Sequence, residues 1–324
     1  MNSSMERDSL TIVLPCHNEQ DTVLKTILEL NKNLNPLLDD YKIFYLFVDD
    51  GSIDNTWDMI ASQSKSSDYI FGIKLSTNFG HQIALLAGIE NALKFSDYIL
   101  TMDADLQHPP EIARRMCEKM RNEKLDIINA QQAPMINHNL SLFKQFSSRY
   151  FYKFLKLIGV KIESRVGDFR LMTSKAAEAL VSHNDLEFFA RGIIAKLGFK
   201  QRSIQYYAGK RIAGKTKYSF TKMLKLALSG ITSTSIIPLR ITFILSIILF
   251  LICLIMVIAA ISTWLNNQVV PGWTSIIISI YFLFGINFMI LGVLGEYLGK
   301  NYRQSLGRPR YIIQDTTISY QELK

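Results

Sequence analysis

The chain has 324 residues, a formal net charge of +8 and 48% hydrophobic residues, a length that suits one large domain plus a smaller part. Its three cysteines, Cys16, Cys117 and Cys253, show neither paired nor metal-like spacing, which argues against a disulfide framework and for buried thiols in a reducing compartment. The opening MNSSMERDSL has no apolar stretch of the kind that begins a signal peptide, so none is expected.

The N-terminal half alternates β-rich runs with amphipathic stretches. Strands are predicted at 10–15 (LTIVLP), 42–48 (KIFYLFV), 69–75 (YIFGIKL), 98–103 (YILTMD) and 125–130 (LDIINA). Each is almost continuously apolar, as in strands covered on both faces of a parallel sheet. Helices are predicted between them at 20–34, 54–65, 81–94 and 110–122, with Asp54 and the Pro109-Pro110-Glu111 run as start signals. The expected fold is a mostly parallel, Rossmann-like α/β sheet, in which ligands bind beyond the carboxyl ends of the strands.

The polar residues gather at those ends. Strand one runs into Pro15-Cys16-His17-Asn18-Glu19, strand two into Asp49-Asp50-Gly51-Ser52, strand three into Asn78-Phe79-Gly80-His81, and strand four into Asp103-Ala104-Asp105. One acidic tip reads as a turn or a helix cap. Several on one edge point to a site. Asp103 and Asp105, two apart on an extended chain, share a side and repel each other. A divalent Mg²⁺ or Mn²⁺ would relieve that repulsion and neutralise a diphosphate, with Gln107 offering a further oxygen. Asp49 and Asp50 precede a glycine that permits a tight turn. One of the two is expected to touch ligand while Asp49 shapes the turn. No glycine-rich phosphate loop follows strand one, so backbone amides are not the main phosphate cradle.

From 241 to 295 there is no Asp, Glu, Lys or Arg. Within it, 241–263 and 274–295 each exceed the ~20 residues needed to span a bilayer. The polar loop between them is bracketed by Trp264 and Trp273, and basic residues flank the pair on its outer sides: Lys215, Lys217, Lys222, Lys225 and Arg240 before it, Lys300, Arg303, Arg308 and Arg310 after it. That asymmetry predicts a hairpin with both chain termini cytoplasmic. The expected organisation is a cytoplasmic domain at 1–215, an interfacial helix at 216–236, two transmembrane helices within 237–299 and a cytoplasmic tail at 300–324, as an integral protein of the plasma (inner) membrane. The aromatic and basic segments 140–159 and 218–231 suit a membrane surface. Such a hairpin suits a small homo-oligomer, and no nucleic-acid partner is expected.

LPCHNE, VDDGSIDNT, NFGHQIALLAGI, DADLQHPPE, GDFRLM and the KTKYSF segment, in this order, resemble the inverting family-2 glycosyltransferases of GT-A fold. More narrowly they resemble the polyprenyl-phosphate glycosyltransferases, including bactoprenol glucosyltransferases and dolichol-phosphate mannose synthases. The resemblance implies a nucleotide site lined by Pro15, His17, Glu19 and Asp50, with Asp49 and Asp103 beside it. It implies a metal-diphosphate site at Asp103, Asp105 and Gln107, and a catalytic centre at GDFRLM, with Asp168 and Arg170 acting alongside Asp105. His17 departs from the aromatic residue common there in mannose synthases. The QxxRW motif of processive polymer synthases is absent.

The implied reaction moves a hexose from a nucleotide sugar, a uridine donor by resemblance to bacterial members, to polyprenyl phosphate, supplying a lipid-linked sugar for cell-envelope glycans. A phosphate monoester, with its second pKa at about 6, is ionised at neutral pH and needs no base. It needs cations, for which Arg191, Arg211 and Lys215 are the candidates, with Arg165, Arg202, Lys210 and Lys217 nearby in sequence. Asp168 is expected to position the sugar or an arginine, or to pair with Arg170. His81 in NFGHQ is expected to start a helix near the nucleotide, His108, His138 and His183 are scattered without metal-ligand spacing, and Gln82 has no assigned role. A nucleotidyltransferase would also use carboxylate-bound metal but would want a glycine-rich phosphate loop. A degenerate membrane scaffold is disfavoured by the intact acids.

Overall fold

A computed structural model of the chain describes residues 7–133, 166–183, 188–207, 237–265 and 272–319. They belong to two compact units. One holds the N-terminal two-thirds together with residues from Pro309 onward; the other holds two long helices.

The first unit is built on an eight-stranded sheet with the order β7-β5-β6-β4-β1-β2-β3-β8. Its strands are β1 (Asp8–Cys16), β2 (Tyr41–Asp49), β3 (Ile70–Leu75), β4 (Tyr98–Thr101), β5 (Ile127–Gln132), β6 (Val166–Thr173), β7 (Gln201–Tyr206) and β8 (Ile313–Thr316). The helices between them are α1 (Val23–Leu34), α2 (Thr56–Lys65), α3 (His81–Ala92), α4 (Pro110–Glu123), α5 (Ser174–Val181) and the short α6 (Ala190–Ile194). The five predicted strands and four predicted helices are all present. β1 lies parallel to β2 and β4, and β2 parallel to β3.

Alternation along each strand divides the core in two. Ile43, Tyr45 and Phe47 of β2 pack on the side of α1 and α4, while Phe44, Leu46 and Val48 pack on the side of α3 and α5. Both faces are covered, which is why these strands read as unbroken apolar runs.

Two features depart from a simple parallel order. β6 inserts antiparallel between β4 and β5, so that Arg170 lies opposite both Thr101 and Asn129. Because β6 runs the other way, its first residues, Gly167 and Asp168, arrive at the edge where β4 and β5 end. The second departure is β8, which pairs antiparallel with β3. Residues expected only as a tail are therefore sheet: the Thr317 N–H donates to Gly72 O at 3.0 Å, and Arg310 and Tyr311 both bind the Glu90 carboxylate of α3, each at 2.5 Å.

The second unit contains α7 (Ile237–Leu265) and α8 (Trp273–Ser305), helical where the two spans are predicted. Among the described residues one segment, Phe282–Ser305 of α8, is long and apolar enough by length and composition to cross a membrane. The segments 140–159 and 218–231, and the side chains of Arg165, Lys210, Arg211, Lys215 and Lys217, lie outside the described residues.

Candidate active site

The carboxyl ends of β1, β2 and β4 and the start of β6 enclose a cleft of about 640 Å³, within the usual size range of small-molecule sites. Pro15, His17, Glu19, Asp50, Asp103, Asp105, Gln107, Asp168 and Arg191 all line it. Asp49 and Arg170, buried behind, do not.

At the β1 and β2 end, both oxygens of Asp50 accept backbone N–H groups of the loop after β3, from Phe79 at 2.7 Å and Gly80 at 2.9 Å. Asp50 thus fixes the loop that leads into α3. Asp49 is fully buried, accepts from the Ser52 N–H at 3.1 Å and closes the turn, and burial raises its carboxyl pKa. Gly51 makes that turn possible: its φ is +64°, and a Cβ there would lie 2.4 Å from the Thr77 carbonyl carbon. His17 Nδ1 is 2.9 Å from Asp50 O, which can only accept, so Nδ1 carries the proton and Nε2 is left to accept from the Asn18 amide at 3.2 Å.

β4 delivers the two acids. Leu106, between Asp105 and Gln107, has φ +59°, a left-handed conformation that costs a branched residue about 1–3 kcal/mol and that clusters at ligand sites. The bend folds Gln107 back, and its backbone and side-chain N–H groups both donate to Asp105, at 3.0 and 2.5 Å. His108 folds back as well. Its Nδ1 accepts the Asp103 N–H at 3.0 Å, which leaves the proton on Nε2, itself 3.7 Å from Asp103 Oδ2, and its ring stacks on Phe169 at 4.8 Å. Burial lowers the His108 pKa, consistent with a neutral ring. Among the described residues Asp103 Oδ1 is buried without a hydrogen-bond partner, with His81 Nε2 3.5 Å away. An acceptor in that condition can take a cation or a further donor. Asp103, Asp105 and Gln107 are hard oxygen donors suited to Mg²⁺ or Mn²⁺. Among the described residues no three His, Cys, Asp or Glu side chains converge to hold an ion by themselves, so the remaining ligands would come from phosphate and water.

Asp168 is the most heavily bonded group in the cleft. Only 5% exposed, it accepts from Gln82 Nε2 at 2.8 Å and from Arg191 Nε and Nη2 at 3.2 and 3.0 Å, with His81 Nε2 at 3.5 Å and Arg170 Nη2 at 3.7 Å. Burial alone would raise its pKa, but the His81 contact and the two guanidiniums override it and hold the carboxyl far below the usual range. Asp168 is a fixed anion. Arg170, fully enclosed, is pushed down to about 10 by burial, and among the described residues its Nε and Nη1 have no hydrogen-bond partner. His81 also reaches within 3.5 Å of Asp103 Oδ1; burial opposes its charge, but Asp168 and Asp103 raise its pKa on balance. Gln82 and His108 make site contacts that the sequence reading left without a role, and His81, expected to start a helix near the nucleotide, does start α3 but reaches the acids as well. Their signal, in retrospect, is position: two begin the helix after a strand-end loop, and one directly follows the acidic turn.

A family model described as glycosyl transferase family 2 matches residues 11–181. An uncharacterized glycosyltransferase of Bacillus subtilis, YkoT, is 37% identical over 94% of this chain and 90% of its own length. The prophage bactoprenol glucosyl transferase homolog of Escherichia coli is 33% identical over 94% of this chain and 98% of its own. The crystal structure of S. aureus TarS 1-349 in complex with UDP-GlcNAc is similar at 14% identity, with a TM-score of 0.45 over 69% of this chain and 65% of that one. With a family model covering more than half its length and relatives that align almost end to end, the chain belongs to glycosyl transferase family 2.

Proposed function

We propose that this glycosyltransferase moves a hexose, with inversion, from a uridine diphosphate sugar to a polyprenyl phosphate at the cytoplasmic face of the plasma membrane, supplying a lipid-linked sugar for cell-envelope glycans. The observation that carries the reading is the meeting in one cleft of the Asp103–Asp105 acids and an arginine, Arg191, held by a buried anion. Relatives named bactoprenol glucosyl transferase, aligned over 94% of the chain, support a lipid acceptor. The apolar α8 supports membrane attachment. In this reading 241–263 and 274–295 form a two-span hairpin with both flanks cytoplasmic.

The acceptor phosphate, with a second pKa of about 6, arrives ionised. One of its oxygens attacks C1 of the sugar while the C1–O bond to the diphosphate breaks, and the electron pair departs with UDP. The new bond forms on the opposite face, giving a β-linked product. Pro15, His17 and Glu19 line the nucleotide end, where Asp50 secures the loop. Asp103 and Asp105, with Gln107 beside them, would hold Mg²⁺ or Mn²⁺, which when bound supplies positive charge to the leaving diphosphate. Arg191 brings the acceptor phosphate to C1, and Asp168 holds Arg191 in place. Arg170 acts through Asp168, as a positioning residue. Arg211 and Lys215 complete the lipid-phosphate site.

The test is a donor screen. Purified full-length protein is given Mg²⁺ or Mn²⁺, a short-chain polyprenyl phosphate and labelled nucleotide sugars in turn. Label should pass into the lipid phase with a uridine donor, and no transfer from any common donor would refute the reading.

A further inference from the structure

Gly167 is the second residue of β6, one before Asp168, and lines the cleft, yet among the described residues nothing around it calls for glycine. Its backbone does not: the glycines with left-handed φ are Gly51, Gly80, Gly198 and Gly307. Packing does not either. A Cβ added at Gly167 would meet, among the described residues, nothing nearer than His108 Nε2 and Phe169 N, both at an ordinary 3.9 Å. Gly88 contrasts with it, since a Cβ there would fall 2.3 Å from Val13 Cγ1. Glycine within a strand weakens it and recurs where a ligand approaches the backbone closely. At Gly167 the strand would be better served by alanine, and among the described residues there is room for one. The space is kept for something that enters the cleft.

The order of strands indicates which part of the ligand that is. Along the sheet edge the sequence of elements is β2, β1, β4, β6, β5, β7. Asp50, Pro15 and His17 stand at the β2 and β1 end, and Asp103 and Asp105 follow β4. Gly167 comes next. Beyond it, Gln132 and Tyr206, paired in register at the ends of β5 and β7, close the wall. Gly167 also faces His108, whose Nε2 is 3.7 Å from Asp103 Oδ2. A donor laid along this edge, nucleotide at β1 and β2 and diphosphate at the acids, places its sugar at β6.

We infer that Gly167 is the floor of the hexosyl subsite, its bare Cα lying under the sugar ring of the donor, and that the missing side chain sets how bulky a sugar the cleft admits. This rests on the reading of the cleft as a nucleotide-sugar site. Gly167→Ala and Gly167→Val in the full-length protein test it, with three measurements beside wild type: thermal midpoint, UDP affinity, and affinity and transfer for the uridine sugar that wild type uses. The alanine variant should keep its midpoint within about 2 °C and its UDP affinity within about twofold, because a methyl group that touches only the sugar leaves nucleotide binding unaltered. Its affinity for the sugar nucleotide, and its transfer, should fall about tenfold or more, and valine should lose more. Alanine with wild-type transfer would overturn the inference. So would an equal loss of UDP affinity, or a midpoint lowered by more than about 5 °C, which would assign the glycine to the nucleotide or to the fold. A wild-type protein that transfers no sugar would instead refute the functional reading beneath it.

Discussion

Asp168→Asn isolates the effect of one buried charge. The carboxylate sits 5% exposed between two guanidiniums, and Arg170, 1% exposed, has Asp168 as its ion-pair partner. Asparagine keeps the shape but removes the charge, leaving Arg170 buried with no counter-ion among the described residues and with two nitrogens already unpaired there. Removing one member of a buried pair costs about 3–5 kcal/mol. For a domain of this size that corresponds to a fall of about 6–20 °C in the thermal midpoint. Thermal unfolding of the detergent-purified variant reads it directly. If the cause is the stranded charge, adding Arg170→Met to Asp168→Asn should recover much of the loss, since apolar residues of similar volume often replace a buried pair without cost. The pH dependence follows from the sign of the shift. The folded pKa of Asp168 is depressed, so its stabilisation is fully present above the unfolded value of about 3.9 and is lost only as pH falls below it. The part of the gap due to the carboxylate itself should therefore hold above about pH 5 and close in stronger acid, while the part carried by protonated His81, whose pKa Asp168 raises, should fade as pH rises through the His81 pKa. An Asp168→Asn protein melting within about 2 °C of wild type at pH 7 would refute the reasoning.

Asp105→Asn should abolish transfer while the helical content and thermal midpoint stay at wild-type values; retained activity would sink the metal assignment. Gln82→Ala removes the 2.8 Å hydrogen bond to Asp168 and the acceptor for the Ala190 N–H that opens the helix bearing Arg191. With about 1–2 kcal/mol of positioning lost, KM for the lipid phosphate should rise about 5–30-fold while that for the donor holds, and steady-state kinetics at varied acceptor separates the two. Gly51→Ala forces a side chain onto φ +64° and into the Thr77 backbone, so the midpoint should fall by at least the equivalent of about 2 kcal/mol in a melting experiment. Truncation after Arg308 deletes β8 and the Arg310–Glu90 pair; the midpoint should drop and the uncovered β3 edge should promote aggregation, read by light scattering.

The central sheet was legible because its strands are buried on both sides, and burial writes itself as an unbroken apolar run. LTIVLP and KIFYLFV need no tertiary knowledge to be recognised. Boundaries slipped where local bonding intervened: α1 begins at Val23 because Glu19 O first accepts from Thr22 and Val23 in a turn. β7 and β8 were not legible. QRSIQY and IQDT are half-polar sequences with exposed outward faces, and β8 exists as a strand because β3 offers it an edge. The insertion of β6 is a long-range pairing with no local signature, although GDFRLM stood out as a motif. In the site, the acids at strand ends could be read off; the division between Asp49 and Asp50 depends on where the chain turns. The contacts of His108 depend on Leu106 being left-handed, which spacing does not reveal.

The carboxylates of the cleft bear on the choice of acceptor. Transfer to a neutral hydroxyl needs a carboxylate or imidazole free to take a proton. Here Asp50 is spent on two loop amides, Glu19 accepts from Thr22 Oγ1 at 2.7 Å, and Asp105 accepts twice from Gln107. Asp168 is held as an anion by the cations around it, which makes it a poor proton acceptor. Asp103 Oδ1 remains, 3.5 Å from His81 Nε2. His108 is kept neutral with its acceptor nitrogen occupied, and His81 is biased toward its protonated form. Among the described residues the cleft is organised to hold charge in position, and apart from His17 at the β1 end it offers little with which to take a proton away. An acceptor already ionised when it arrives makes sense of that arrangement, and a phosphate monoester is such an acceptor. The consequence is measurable: transfer should follow the second ionisation of the acceptor phosphate, rising through about pH 6 and then levelling, and an acceptor ester with that ionisation shifted should carry the rise with it.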